Sequence, residues 1–323
     1  MLTTSDGEIE CNDGLSLTGT FHIPENDPIA VVVIASALGV PRRFYGKFSS
    51  YLAENGFATI TFDYRGSGDS TLRNTGAKKF DLAQWGEQDI EAALETAGKK
   101  FPGLPLHLLG HSCGGQLLGL APASAKLASI ILIAAAMPQA KFWKFPKNLG
   151  LWCLWRIVVP LAAAGREFFP ARTLKLGSGD LPVGVLRQWA HWALSDGYLF
   201  SGAAGLDTTR YAALRSSLLC VHATDDAYAP PEAVRAMQAR YSGCAQEEWV
   251  LDPTRMHQPG IGHFGYFKQD MKTGLWSDLV KWLKSQAGTR VVMEHSAKTH
   301  KMPARGTRRE NPSRGDSHAK LRL

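Results

Sequence analysis

The chain has 323 residues, of which 45% are hydrophobic and 20% charged, proportions typical of a globular protein with a large core. The formal net charge of +7 is concentrated at one end, since residues 290–323 contain nine Lys or Arg and only three acids. The rest of the chain is close to neutral, which argues against a specific nucleic-acid-binding protein. Residues 287–323 are predicted to form a basic, disordered tail that could make weak surface contacts.

The cysteines, the N-terminus and the apolar segments indicate the cellular compartment in which the protein is expected. The five cysteines are odd in number and their spacing fits no metal site, so we expect free thiols in a reducing, cytoplasmic compartment. The N-terminus has early acids and lacks the apolar region of a signal peptide. The most apolar stretch, 149–165, is too short for a membrane span and is interrupted by Arg156 and Pro160. The sequence therefore predicts no transmembrane segment.

The order of apolar runs predicts the fold class. Residues 7–23 alternate around a turn at 12–14, which is typical of a hairpin. Helix-length stretches at about 42–55 and 81–99 separate the next apolar runs, and a helix is expected after Ser112. This alternation indicates an α/β fold with a mostly parallel central sheet flanked by helices. The predicted strands are 30–36, 57–62, 106–110, 128–134, 217–223 and 247–252.

One long segment interrupts the alternation. Residues 137–214 contain five tryptophans and no clear strand, and a structureless loop of that length would be unusual in a compact domain. We therefore expect a helical cap insertion at 137–214, between a first core part at 1–136 and a second core part at 215–286. An amphipathic helix over about 265–285 is predicted to end the core, before the tail.

A candidate nucleophile lies in the stretch LLGHSCGGQ at 108–116, which contains the pattern G-x-S-x-G centred on Ser112. The pattern follows a predicted strand and precedes a predicted helix, as a nucleophile elbow requires. A serine hydroxyl needs a histidine to take its proton, an acid to orient that histidine, and donors for the oxyanion. The neighbouring Cys113 has the more reactive group, but an elbow projects the central residue, so Cys113 is expected to be a small apolar side chain.

Candidate partners follow Ser112 in the order acid, then histidine. Strand 217–223 runs into Asp225 and Asp226, at the sheet edge where parallel strands present ligand-facing groups. His263 lies in a glycine-rich loop before the last helix and is favoured as the base over His257, which lies in a more polar loop. The residues favour Asp226 as the acid and leave Asp225 open.

Four motifs together resemble the α/β-hydrolase superfamily, and within it the small serine hydrolases near the serine aminopeptidase and monoglyceride-lipase-like group. The resemblance covers about residues 5–285 and implies that Ser112 is the nucleophile and His263 the base. It also implies that Asp226, four residues before Pro230, is the acid. The motifs are LLGHSCGGQ (108–116), TFDYRGSGDS (61–70), DDAYAP (225–230) and GIGHFGYF (260–267).

The oxyanion strand departs from the family pattern. Many relatives have His-Gly where this chain reads IASALGVPRRFY at 34–45. Backbone amides suffice for an oxyanion hole, so we expect the amides of Cys113 and Leu38, with Ala37 as the alternative to Leu38. Arg42 and Arg43 follow directly. They would bind a substrate carboxylate or, more ordinarily, form a solvated helix start.

Two further groups are interpreted as structural. The resemblance implies that Asp63, Arg65 and Ser70 shape a loop. Asp225 and Asp226 lie close in sequence to His222, but a triad explains these acids without an ion. No metal or cofactor is expected.

Together these features predict a serine hydrolase, most simply a carboxylic ester hydrolase that forms an acyl-enzyme. The substrate is expected to be a small molecule with an apolar acyl or alkyl group facing the tryptophan-rich cap. The same triad also supports acyltransferase, thioesterase or amidase chemistry. A catalytically silent binding module of the same fold is the alternative from a different class.

Overall fold

A computed structural model describes residues 1–70, 79–173 and 179–287. The predicted tail lies outside these ranges except for its first residue. The strands are β1 (Thr3–Glu10), β2 (Ser16–Ile23), β3 (Ala30–Ala35), β4 (Phe57–Phe62), β5 (Leu106–His111), β6 (Ser129–Ile133), β7 (Phe168–Phe169), β8 (Leu181–Pro182), β9 (Ser217–Ala223) and β10 (Ala245–Leu251).

The central sheet has eight strands in the order β1-β2-β4-β3-β5-β6-β9-β10. The hairpin β1–β2 is antiparallel and joins β4 in antiparallel register, whereas the strands from β4 to β10 pair in parallel. Strands β3 to β6 are entirely buried, because helices cover both faces and their near-continuous apolar runs suit that position. The predicted hairpin and parallel sheet are therefore confirmed.

The α-helices are short and several are extended by 3₁₀ or π turns. A 3₁₀ turn at Arg42–Tyr45 leads into the first helix, and π turns occupy Trp85–Ile90, Leu154–Val158 and Lys272–Trp276. The helices are α1 (Gly46–Glu54), α2 (Leu82–Gln84), α3 (Glu91–Lys100), α4 (Cys113–Leu117), α5 (Lys147–Cys153), α6 (Val159–Ala163), α7 (Val183–Leu194), α8 (Thr209–Ala213), α9 (Pro231–Gln238) and α10 (277–287).

The last helix begins later than the sequence predicts. Residues 265–271 form two 3₁₀ turns, and the backbone is non-helical at Thr273 and Gly274. Regular α-helix starts only at 277. The apolar periodicity continues through this region because Met271, Leu275 and Trp276 are buried, so hydrophobic spacing alone could not reveal the break.

The segment between β6 and β9 contains the helices α5 to α8, and it also contains a small ladder. Phe168 pairs with Pro182 and Phe169 with Leu181 in antiparallel register. Two residues per strand are too few to give a periodic signal, which is why the sequence showed no strand here. Within the described ranges, no helix combines the length and apolar character needed to cross a bilayer.

The same segment ends against the core of the sheet. The Tyr211 hydroxyl, on α8, donates a hydrogen bond of 2.6 Å to the Gln116 carbonyl, and the Tyr211 ring occupies the space that a Cβ would need at Gly119. Side chains of α5, of the π turn that follows it and of α7 line a pocket together with Ser112.

Candidate active site

Ser112 occupies a sharp turn between β5 and α4. Its backbone has φ 50° and ψ −111°, an uncommon conformation for a non-glycine residue. The Ser112 amide donates to the Ile133 carbonyl at 2.8 Å, which fixes the turn against β6. A Cβ at Gly110 would lie 2.6 Å from the Cα of Gly115, and one at Gly114 would overlap the Ala35 carbonyl. The glycines of the motif are therefore required by close backbone approach.

Asp226 lies just after β9 and is buried. Its Oδ1 accepts hydrogen bonds from the amides of Tyr228 and Ala229, at 2.8 and 3.1 Å. Its Oδ2 lies 2.8 Å from the Nδ1 of His263 and accepts a longer bond of 3.4 Å from the Tyr266 hydroxyl. Four donors surround this carboxyl group, an arrangement that suits the ionised, acceptor-only form.

Asp225 points to a different part of the same loop. Its Oδ2 accepts from the amide of Ile261 at 2.8 Å and its carboxylate also accepts from Gly262. Adjacent residues thus have separate contacts: Asp226 contacts the His263 ring, and Asp225 holds the backbone that precedes it. His257, the other sequence candidate for the base, is exposed with a φ of 53°.

The contact with Asp226 defines the tautomer of His263. An ionised carboxylate can only accept, so Nδ1 must bear the proton in that bond, and Nε2 of the neutral ring is then an acceptor. The His263 side chain is only 8% exposed, and it lines the same pocket as Ser112. The His263 imidazole is therefore fixed in place, and in its neutral form Nε2 carries no proton.

A second histidine links three parts of the site. His111 is buried, and burial holds its pKa well below the ordinary value, with the neighbouring His263 lowering it further. Its Nε2 lies 2.9 Å from the His263 carbonyl and its Nδ1 lies 2.9 Å from the Tyr45 hydroxyl. Since a carbonyl only accepts, Nε2 bears the proton and Nδ1 accepts from Tyr45. Tyr45 in turn accepts from the Ala37 amide at 2.9 Å.

These contacts bear on the amides expected for an oxyanion hole. The Ala37 amide is already bonded to Tyr45, which disfavours it against Leu38, whose residue lines the pocket. Cys113 follows Ser112 at the start of α4 and is fully buried, and burial raises the pKa of its thiol. A neutral, buried thiol fits the small apolar side chain expected there.

The pocket between α4 and the segment 137–214 has a volume of about 520 Å³. Most of its lining is apolar, with aromatic rings from both sides. Its polar lining includes Ser112, His263 and Gln116, but the Gln116 side chain is already bonded to the Ala136 carbonyl and to the Tyr198 hydroxyl. The apolar lining includes Leu38, Phe44, Trp143, Leu151, Leu154, Trp155, Leu186 and Trp189.

Arg42 has neither of the roles considered from the sequence. It is buried and its guanidinium contacts Asp63 at 2.5 Å, Asp69 at 2.6 Å and Asp6 at 3.1 Å. Its charge is therefore used within the fold and does not face the pocket, while Arg43 is exposed. The pairing could not be predicted because two of the three carboxylates lie more than 25 residues away in the chain.

The other residues of the TFDYRGSGDS motif also make structural contacts. Arg65 binds Asp89 and Asp13, each at 2.6 Å. The Ser70 hydroxyl donates to the Asp63 carbonyl and accepts from the Thr18 amide. These bonds connect the loop after β4 to the hairpin and to the helix that follows.

His222 is separated from the two aspartates. Its Nε2 lies 2.8 Å from a carboxylate oxygen of Glu248 on the neighbouring strand β10. Among the residues that the structure describes, no group of three His, Cys, Asp or Glu is arranged to hold a metal ion.

Sequence analysis missed three residues that support the site. Tyr45 gave no signal, since its role depends on the approach of two loops. His111 and Tyr266 lie inside motifs that were singled out, yet neither was assigned a contact. The Tyr266 hydroxyl accepts from the Ala223 amide and donates to Asp226, so a tyrosine three residues after the histidine was the available clue.

Comparisons with known proteins agree with this fold. The sequence model of the family described as serine aminopeptidase, S33 matches residues 26–173. The structure is similar to a thermostable carboxyl esterase from Bacillus coagulans, with 13% identity, a TM-score of 0.61, and coverage of 89% of this chain and 100% of that one. Est1E from Butyrivibrio proteoclasticus has 16% identity and a TM-score of 0.56, covering 87% and 99%. The Pyrococcus furiosus esterase Pf2001 has 16% identity and a TM-score of 0.56, covering 88% and 91%.

The parallel sheet with flanking helices and the strained serine after β5 are features of the α/β-hydrolase fold. The structure therefore has the α/β-hydrolase fold, and over residues 26–173 the sequence is similar to the serine aminopeptidase family.

Proposed function

We propose that this protein is a serine esterase whose catalytic triad is Ser112, His263 and Asp226. The observation that supports it most is the bond of 2.8 Å between His263 and Asp226 beside a pocket that Ser112 also lines. In this mechanism His263 Nε2 takes the proton of the Ser112 hydroxyl as Oγ attacks the ester carbonyl carbon. Asp226 keeps the proton on Nδ1 and stabilises the imidazolium that forms.

The developing oxyanion would be bound by the backbone amides of Cys113 and Leu38. His263 then protonates the leaving alcohol, which departs and leaves an ester between Ser112 and the acyl group. Water enters, His263 removes its proton, and the resulting tetrahedral intermediate collapses to release the acid and restore the serine. Each carbonyl addition uses the same base and the same amides.

The apolar lining supports a substrate with an apolar acyl or alkyl group. Side chains of 137–214, including Trp143, Leu154 and Trp189, cover the pocket opposite Ser112. We assign 137–214 as a cap on a core formed by 1–136 and 215–286. Five free cysteines support a reducing, cytoplasmic setting.

A fluorophosphonate probe and p-nitrophenyl esters of increasing acyl length test the proposal together. We expect the wild-type protein to be labelled and to hydrolyse the esters, and Ser112→Ala to lose labelling and at least about 10⁴-fold in kcat. Ser242→Ala is the matched control, because Ser242 is exposed and does not line the pocket. Labelling that persists in a folded Ser112→Ala variant, judged by circular dichroism, contradicts the assignment.

A further inference from the structure

Among the residues that the structure describes, the segment 137–214 has several large apolar side chains that are at least 45% exposed. The helical stretch made of α5, the π turn and α6 presents Leu149, Trp152, Ile157 and Leu161, and Phe145 precedes it. Phe145 is 78% exposed, Leu161 70% and Leu149 53%. Single exposed apolar residues are ordinary, but several large ones within one short helical stretch indicate an interaction surface. We call these five residues the apolar face.

The opposite side of the same stretch lines the candidate active site. Leu151, Leu154 and Trp155 are part of the pocket, and the Trp155 indole donates to the Pro138 carbonyl at 3.0 Å. The helix therefore has two apolar sides, one packed over the pocket and one in contact with solvent. Burial of Leu151, Leu154 and Trp155 explains why this stretch packs over the pocket. It does not explain why the apolar face is exposed.

Basic side chains predominate around the apolar face, although Lys141 is paired with Asp196 and Glu167 follows Arg166. Residues 137–166 contain five basic residues and not one Asp or Glu, although the chain up to residue 287 is nearly neutral. All five basic side chains are exposed: Lys141, Lys144, Lys147, Arg156 and Arg166. Aromatic and leucine side chains bordered by Lys and Arg are the pattern of a helix that lies in a membrane interface.

We propose that the apolar face of the cap docks on an anionic lipid surface. The apolar side chains would enter the boundary between headgroups and acyl chains, and the basic residues would contact the negatively charged headgroups. A second copy of the chain fits less well, because a two-fold contact through this face would bring the same basic residues together. The docked cap would hold the pocket directly above the lipid.

Vesicle co-sedimentation of the full chain tests the proposal without relying on catalysis. The vesicles are phosphatidylcholine alone and phosphatidylcholine mixed with phosphatidylglycerol. We expect binding to the anionic vesicles that weakens as salt is added, since the charged contribution is screened. The double variant Leu149→Ser/Leu161→Ser should lower the partition coefficient roughly tenfold or more.

A second pair of substitutions separates charge from apolar contact. Lys144→Glu/Lys147→Glu should lower partitioning on anionic vesicles by roughly tenfold or more. Ile29→Ser/Val250→Ser is the matched control, because these side chains are exposed to a similar degree elsewhere, at 45% and 48%. Circular dichroism and melting temperature establish that every variant is folded.

Three results would overturn the proposal. The first is recovery of the wild-type protein only in the supernatant with both kinds of vesicle. The second is wild-type binding by both cap variants when they are folded, which would assign binding to another part such as the basic tail. The third is a dimer, seen by light scattering, that Leu149→Ser/Leu161→Ser dissociates, which would assign the face to a second copy. A loss of esterase activity in Ser112→Ala affects none of these measurements.

Discussion

The two neighbouring aspartates differ in what they hold. Asp226 contacts the ring of His263, while Asp225 accepts two backbone amides from the loop that contains this histidine. Successive residues that leave a strand point in different directions, which explains why only one of them reaches the ring. Asp226 therefore orients the side chain of His263, and Asp225 orients the backbone of the loop that contains it.

Asparagine substitutions should separate these two contributions. Asp226→Asn can no longer hold the proton on Nδ1 or stabilise the imidazolium, so we expect kcat to fall roughly 10³–10⁴-fold with a small change in melting temperature. Asp225→Asn should keep most of kcat and lose about 1 kcal/mol in the free energy of unfolding, from weakened bonds to Ile261 and Gly262. Ester kinetics and urea unfolding of both variants, measured in parallel, check this; a large kinetic loss in Asp225→Asn alone would reverse the assignment.

At the scale of elements, buried hydroxyl and amide groups join the segment 137–214 to α4, the helix that follows Ser112. The Tyr198 hydroxyl donates to the Gln116 side chain at 2.8 Å and accepts from the Trp189 indole at 3.0 Å. Gln116 belongs to α4, directly behind Ser112, and Trp189 belongs to α7 of that segment. One fully buried hydroxyl therefore satisfies a polar group from each of the two elements.

Removal of that hydroxyl should destabilise the protein. Tyr198→Phe leaves the buried Gln116 oxygen and the partly buried Trp189 N–H without this partner, and we expect the free energy of unfolding to fall by about 1–3 kcal/mol. Urea unfolding followed by circular dichroism measures the change. Tyr228→Phe, at a side chain that is 60% exposed, should differ little from the wild type. Equal stability of the two variants would mean that the hydroxyl does not connect the elements.

Elements that depend on local pattern were predictable, and those that depend on distant partners were not. The buried strands and the elbow follow from apolar runs and glycine spacing within a few residues. The ion cluster of Arg42 and the bond between Tyr45 and His111 join residues 21 to 66 positions apart in the chain. The residue types at positions 42 and 45 do not by themselves indicate such distant partners. The late start of α10 was likewise missed, because burial continues across a break in the backbone.

At the scale of the whole molecule, the buried neutral His111 connects folding to pH. The unfolded chain binds a proton at this residue below about pH 6.5, whereas burial lowers the pKa in the folded chain. The unfolded state therefore binds more protons as the pH falls, and the free energy of unfolding decreases. The stabilising contribution of neutral His111 is fully present above the pKa of this histidine in the unfolded chain, and it is lost progressively as the pH falls below that value.

A substitution isolates this contribution. From about pH 7.5 to about pH 5.5, His111 should account for a loss of about 1.4 kcal/mol in the free energy of unfolding, which His111→Asn should not show. Urea titrations at the two pH values give the difference for each protein. His257→Asn is the control, because His257 is exposed, and it should keep the wild-type difference. If the His111→Asn variant also keeps the wild-type difference in the free energy of unfolding, burial does not lower the pKa of His111 in the folded chain.

The backbone of Ser112 has a consequence for how variants of this protein should be ranked. A serine at φ 50° and ψ −111° is held there by its surroundings at a cost on the order of 1–3 kcal/mol. Glycine at the same position would relieve that cost and remove the hydroxyl in one step. A selection for thermal resistance alone would therefore reward the loss of this residue. Thermal stability and the proposed esterase activity are opposed at position 112, so a screen for either property has to measure both.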